Sequence, residues 1–148
     1  MDEIFARNVL YWGDEAQKII ASSHIAVFGL GGVGGFCAEA LARSGVGELT
    51  LVDFDKVSKS NINRQIIALN STVGMYKAEL FEIRLRDINP DIKLHLINDF
   101  YLEDFDFSGI NYTADAIDTM RSKVNLLVKC LENNVRAVSY THLTLPTT

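Results

Sequence analysis

Ile25-Ala26-Val27-Phe28-Gly29-Leu30-Gly31-Gly32-Val33-Gly34 is the stretch whose reading decides the fold. Its first four residues form a continuous apolar run, as expected of a strand covered on both faces. Glycines follow at once in the spacing G-x-G-x-x-G, at Gly29, Gly31 and Gly34. A helical pattern then occupies residues 33–44 and is closed by Gly45 as a left-handed cap. Glycine permits the tight turn and close approach of backbone to a ligand, while a helix N-terminus offers free N–H groups to phosphate. A second strand at 49–52 delivers Asp53, 24 residues after Gly29, where a carboxylate accepts hydrogen bonds from ribose hydroxyls. In this strand–turn–helix–strand–acid setting the glycines mark a nucleotide-binding turn. They do not say which nucleotide.

Outward from this unit, apolar segments keep alternating between strand-like and helix-like periods, the pattern of a parallel α/β sheet. A helix is expected before it, over 14–22, and an irregular polar stretch after it, over 53–72, with a short helical turn near 61–67. The next helix begins near Met75 and carries Ala78, Phe81, Leu85 and Ile88 on one stripe. Strand three is expected at 93–97, and strand four at 114–117 with Asp118 at its end. A long helix follows with Val124, Leu127, Val128 and Leu131 as its inward face, and strand five starts near Arg136. The fold class is therefore a doubly wound, mainly parallel, Rossmann-like sheet of about five strands.

Composition narrows the function classes. The 148 residues carry 14 Lys+Arg against 19 Asp+Glu, a net charge of −5, which argues against a generally basic, nucleic-acid-coating protein. With 48% apolar residues, a single globular domain is expected. The longest uncharged stretch, 19–38, contains five glycines and is a poor membrane span. The expected compartment is the cytoplasm. Cys37 and Cys130 have no metal or disulfide spacing and fall in helical patterns, as small buried residues. His24, His95 and His142 share no ligand spacing either. Glu103, Asp104 and Asp106 are expected in a hydrated loop. The last ten residues, SYTHLTLPTT, are rich in threonine and resemble translated sequencing-adaptor sequence. Residues 139–148 are accordingly expected to be a non-native tail, and 1–138 the N-terminal part of a C-terminally truncated domain.

A second constellation narrows the nucleotide. A dinucleotide oxidoreductase needs few charges where its second phosphate and nicotinamide lie. A triphosphate needs cations for its β- and γ-phosphates and an acid to hold Mg²⁺. Arg64, Lys77 and Asp118 supply that set, from segments that emerge at the carboxyl edge of the expected sheet. Asp55 either assists Asp53 or orients the loop around Asn61. Lys56, Lys59 and Arg64 form the basic cluster beside this region, able to meet an RNA phosphate.

The residues quoted above, with GLGGVGG, AEALARSGVGELTLVDFD, SNINRQ, VG-x-x-K and AIDT, make the chain resemble the ThiF/MoeB-type, ubiquitin-activating-like adenylyltransferases over about residues 7–138. The resemblance implies ATP and Mg²⁺ as cofactors. It implies that Gly29, Gly31, Gly32, Gly34, Asp53, Asp55, Asn61 and Gln65 line the nucleotide, that Arg64 and Lys77 hold phosphates, and that Asp118 coordinates Mg²⁺. It further implies a homodimer in which Arg7 reaches the partner's site. The run NINRQIIAL is most similar to members that activate a carboxylate on a modified adenosine of tRNA. The alternative acceptor is the C-terminus of a ubiquitin-like sulfur carrier, and a third reading is an inactive nucleotide-binding module.

Overall fold

In the computed structural model, residues 3–99 and 102–140 are described. Five strands, β1 (His24–Phe28), β2 (Glu48–Val52), β3 (Lys93–Ile97), β4 (Tyr112–Asp115) and β5 (Arg136–Ser139), form one sheet in the order β3-β2-β1-β4-β5. Every pairing is parallel. The helices are α1 (Ala6–Trp12), α2 (Asp14–Ala21), α3 (Gly34–Arg43), α4 (Lys77–Ile88) and α5 (Met120–Glu132). The doubly wound reading holds.

Strand residues alternate between two cores because successive side chains leave opposite faces. Val27, Leu49 and Leu51 meet Ala38, Ala42, Ala78, Phe81 and Leu85 of α3 and α4. On the other face Ala26, Phe28 and Val52 meet Phe107, Ile110, Leu126 and Cys130. Gly35 lets α3 close on α4: a Cβ there would stand 2.8 Å from Phe81 Cζ. Glu39 on α3 binds Arg84 of α4 at 2.6 Å and Arg43 at 2.8 Å. The Arg84 hydrogen bond holds the Glu39 carboxyl below the ordinary carboxylate range.

Several expected boundaries shift for physical reasons. The segment before β1 is two helices, because Gly13 takes φ +86° between α1 and α2. Helix α4 starts at Lys77 rather than near Met75: Tyr76 is extended and bridges Lys56, with the Lys56 ammonium 4.6 Å from its ring centre. The expected turn near 61–67 is a short 3-10 helix at Lys59–Asn61, which ends where the Asn61 carbonyl accepts from the amides of Arg64 and Gln65. Strand four ends at Asp115, not at Asp118, because Asp115 Oδ1 accepts the Ile117 amide at 3.0 Å and turns the chain out of the sheet.

The inward face of α5 also differs from expectation. Lys123, Leu126 and Cys130 are buried, while Val124, Val128 and Leu131 are exposed. The whole set is rotated by one residue, about 100° of helix. Strand β5 continues through Ser139, and the Tyr140 amide donates to the Asp115 carbonyl at 2.9 Å, so the first two residues of the expected tail take part in the fold. Positions 141–148 lie outside the described residues. Burial pushes the Cys37 and Cys130 thiols up, consistent with small packing residues. Among the described residues, no helix is long and apolar enough to cross a membrane.

Candidate nucleotide site

The sheet order reverses between β1 and β4, and the loops leaving those strands lie side by side there. Doubly wound folds bind ligands at that switch point, beyond the carboxyl ends of the strands. Gly29 takes φ +88°, and a Cβ on it would stand 2.7 Å from the Ala116 carbonyl oxygen. A Cβ on Gly34 would collide with the Gly29 carbonyl. These two glycines are required by the turn itself. Gly31 and Gly32 are not: a Cβ on either meets nothing nearer than 3.6 Å, the neighbours being Gln65 and Arg64. A Cβ at either position would be in ordinary van der Waals contact with those side chains, so the fold itself tolerates one.

Their substitution separates the two roles. Gly34→Ala is expected to lose about 1–3 kcal/mol of stability by overpacking. Gly31→Ala is expected to change stability by less than about 0.5 kcal/mol, yet to weaken nucleotide binding by roughly tenfold, because the added methyl crowds backbone that a ligand would approach. Urea unfolding and calorimetry on the two variants check this. Equal stability losses would remove the distinction.

Asp53 is buried at the end of β2, and both its oxygens serve the loops. Oδ2 accepts the Leu30 amide at 2.6 Å and Oδ1 accepts the Asp55 amide at 2.7 Å. Burial pushes its pKa up, opposed by these two N–H groups and by the positive charge of Lys77. Each oxygen keeps a lone pair, so a ribose contact is compatible with this structural duty. Lys77 is buried at the start of α4, with its ammonium 3.2 Å from Asp55 Oδ2 and its amide on the Asp55 carbonyl. Asp55 therefore positions Lys77, which is neither of the two roles expected of it.

Arg64 lies over Gly32, exposed, with its guanidinium donating to the Ser60 carbonyl at 2.8 Å and to Asn63 Oδ1 at 2.9 Å. Asn61 caps this loop, accepting the Ser58 amide at 3.0 Å. Gln65 is buried beside Gly31, and its Oε1 has no hydrogen-bond partner. A buried acceptor left without a partner, in a side chain that touches the glycine turn, suits a polar ligand there. Asp118 is exposed in the loop after β4, two residues beyond Ala116, which touches the glycine turn. Its carboxylate joins no hydrogen bond or ion pair among the described residues, the state a Mg²⁺ ligand needs.

Two further placements complete the picture. Arg7 is exposed at the start of α1, whose Asn8 donates to the Arg43 carbonyl at the far end of α3. The chain's own Arg7 is thus remote from the glycine turn. Beside the site, Lys123 Nζ donates to Asp115 Oδ2 at 2.7 Å and to the Tyr140 carbonyl at 2.6 Å. Ser139 Oγ donates to the same Asp115 oxygen at 2.6 Å. This buried network fastens β4, α5 and β5 together at the root of the loop that carries Asp118. The signal for Lys123 was its spacing, three residues before Leu126 and seven before Cys130.

A parallel sheet with a glycine turn, a buried acid and two cations at its switch point defines a nucleotide-binding α/β protein. The ThiF family pattern matches residues 5–144, past the expected boundary at 138, and the chain belongs to that family. It is 45% identical over 140 residues to the tRNA threonylcarbamoyladenosine dehydratase of Bacillus subtilis, covering 91% of this chain and 55% of that protein. It is 35% identical to the molybdopterin-synthase adenylyltransferase of Escherichia coli, covering 93% of this chain and 55% of that protein. The structure of the Escherichia coli tRNA N6-threonylcarbamoyladenosine dehydratase in complex with ATP superposes with a TM-score of 0.86 at 39% identity, covering 93% and 58% of the two chains. The chain spans about half the length of these curated relatives.

Proposed function

We propose that the protein uses ATP to activate a carboxylate by adenylation, and that the carboxylate is the threonylcarbamoyl group on adenosine 37 of tRNA, leading to its cyclic, dehydrated form. The observation that carries this is the glycine turn with Arg64 lying over Gly32, in a chain 39% identical to a dehydratase whose structure holds ATP. ATP supplies an electrophilic phosphorus and a pyrophosphate leaving group. Gly31, Gly32 and Gln65 would line the nucleotide, Asp53 the ribose, and Asn61 would hold the loop that presents Arg64. Arg64 and Lys77 would stabilise charge developing on the phosphates, and Asp118 would hold Mg²⁺. Lys56 and Lys59, exposed beside Arg64, suit the phosphates of an RNA acceptor.

A homodimer is part of this reading, with Arg7 entering the partner's site, and so is a cytoplasmic location. The exposed apolar stripe Met120, Val124, Val128 and Leu131 on α5 supports further polypeptide covering that helix. The second reading, adenylation of a ubiquitin-like sulfur carrier, rests on the 35% identity to the molybdopterin-synthase enzyme.

Calorimetry tests the nucleotide: ATP with Mg²⁺ should bind at least tenfold more tightly than NAD. Tight NAD binding with none for ATP would end the adenylation reading. Threonylcarbamoyladenosine-containing tRNA and a sulfur-carrier protein, offered separately to protein extended to its relatives' length, then separate the acceptors.

A further inference from the structure

The amino edge of the sheet, at the opposite end of the strands from the glycine turn, brings together three residues that are far apart in sequence. Parallel register sets His24 of β1 opposite Glu48 of β2, and Thr50 of β2 opposite His95 of β3. All of these leave the same face of the sheet. Glu48 Oε1 lies 2.7 Å from His95 Nε2 and 3.7 Å from His24 Nδ1. One donor atom from each of the three lies within 4.8 Å of the others. His24 Nε2 stands 2.8 Å from Thr50 Oγ1. A hydrogen bond from the Nε2 proton to that hydroxyl leaves the Nδ1 lone pair aimed at Glu48. Metal-ligating histidines are oriented through their second nitrogen in this way.

The cluster opens into a cavity of about 670 Å³ that is also lined by Phe105, Ser108 and Ile110. Among the described residues, the carboxylates of Glu48, Asp99, Asp104 and Asp106 line it, and no lysine or arginine does. Lys93, opposite Glu48 in the register, is one cation against four carboxylates. The cavity therefore favours a cation, and two imidazoles select a borderline transition metal over Mg²⁺ or Ca²⁺.

We propose that His24, Glu48 and His95 form a site for a divalent ion of the zinc type, with water completing the coordination. Donors about 2.0–2.2 Å from such an ion stand roughly 3.3–3.5 Å apart in a tetrahedral arrangement. The distances of 2.7 and 3.7 Å to Glu48 bracket that value, so modest side-chain rotation suffices. Bound there, the ion ties β1, β2 and β3 together. It stands about 16 Å along β1 from the nucleotide turn, so its existence does not depend on the ATP reading.

Cobalt(II) titration of the unaltered 148-residue chain is the direct test. One ion per chain should bind, giving ligand-field absorption without a thiolate charge-transfer band, and zinc(II) should raise the Tm. Calorimetry should show zinc affinity falling by about a hundredfold or more in His95→Ala and in Glu48→Gln. His142→Ala should bind zinc as the parent does, and His95→Ala should keep the parent's ATP affinity. His95 is half exposed on an edge strand, and far-UV circular dichroism should match the parent. Absence of stoichiometric cobalt binding, a thiolate band, or affinity lost with His142 rather than His95 would overturn the site.

Discussion

Lys123→Ala is expected to lose about 3–5 kcal/mol of stability, because it strands a buried carboxylate without its counter-charge. Lys123 and Asp115 are 4% and 2% exposed, and the ammonium donates to that carboxylate, to Ser139 and to the Tyr140 carbonyl. Asp115 keeps the Ser139 hydroxyl and the Ile117 amide as donors, which offset the charge only in part. Folded domains have roughly 5–15 kcal/mol in total, so the loss is a large share. The Tm should fall by about 10 °C or more. The double variant Asp115→Asn, Lys123→Met removes both charges and should recover part of the loss, since an apolar replacement of a buried pair is often neutral. Urea unfolding followed by circular dichroism measures all three proteins. A loss under about 1 kcal/mol in Lys123→Ala would mean that water reaches the pair as it does at a surface ion pair.

Arg64→Ala is expected to lower turnover by roughly a hundredfold or more at saturating ATP, while leaving stability within about 0.5 kcal/mol. The two readouts diverge because Arg64 is exposed and, among the described residues, its guanidinium bonds within its own loop, to Ser60 and Asn63. Little folding energy rests on it, whereas the charge it would stabilise changes as pyrophosphate departs. Asp53→Ala contrasts with it. That change removes the acceptor of the Leu30 and Asp55 amides, so stability and ATP affinity should fall together, stability by about 1–3 kcal/mol. Turnover is measured on protein extended to its relatives' length, with the acceptor that reacts. Wild-type turnover in Arg64→Ala at saturation would make Arg64 a loop charge and remove the centre of the proposed mechanism.

Much of the geometry of the candidate site was legible because it is written locally. The glycine turn needs only a strand before it and a helix after it, and Asp53 ends the next strand. Arg64, Lys77 and Asp118 were placed by the rule that a doubly wound sheet gathers its loops at one edge. The role of Asp55 was not legible, since it depends on Lys77, 22 residues later, folding back upon it. Nor was the end of β4. Ala116 and Ile117 read as a continuation of the strand, and only the Asp115 carboxylate capturing the Ile117 amide shows where the chain leaves the sheet.

The sequence by itself determined the alternation of strands and helices, the glycine turn with its acid, and the set of charges suited to a triphosphate. Those properties follow from backbone sterics and from periods of two and 3.6 residues, which act over a few residues. Tertiary structure alone decided which stripe of α5 turned inward. Val124, Val128 and Leu131 had the better apolar spacing, yet Lys123 was drawn in by Asp115, Ser139 and the Tyr140 carbonyl, partners on two other strands. It also decided that His24, Glu48 and His95, which share no spacing along the chain, stand together. Their meeting depends on strand order and register, set by how whole elements bury their faces, and no short window of residues carries that information.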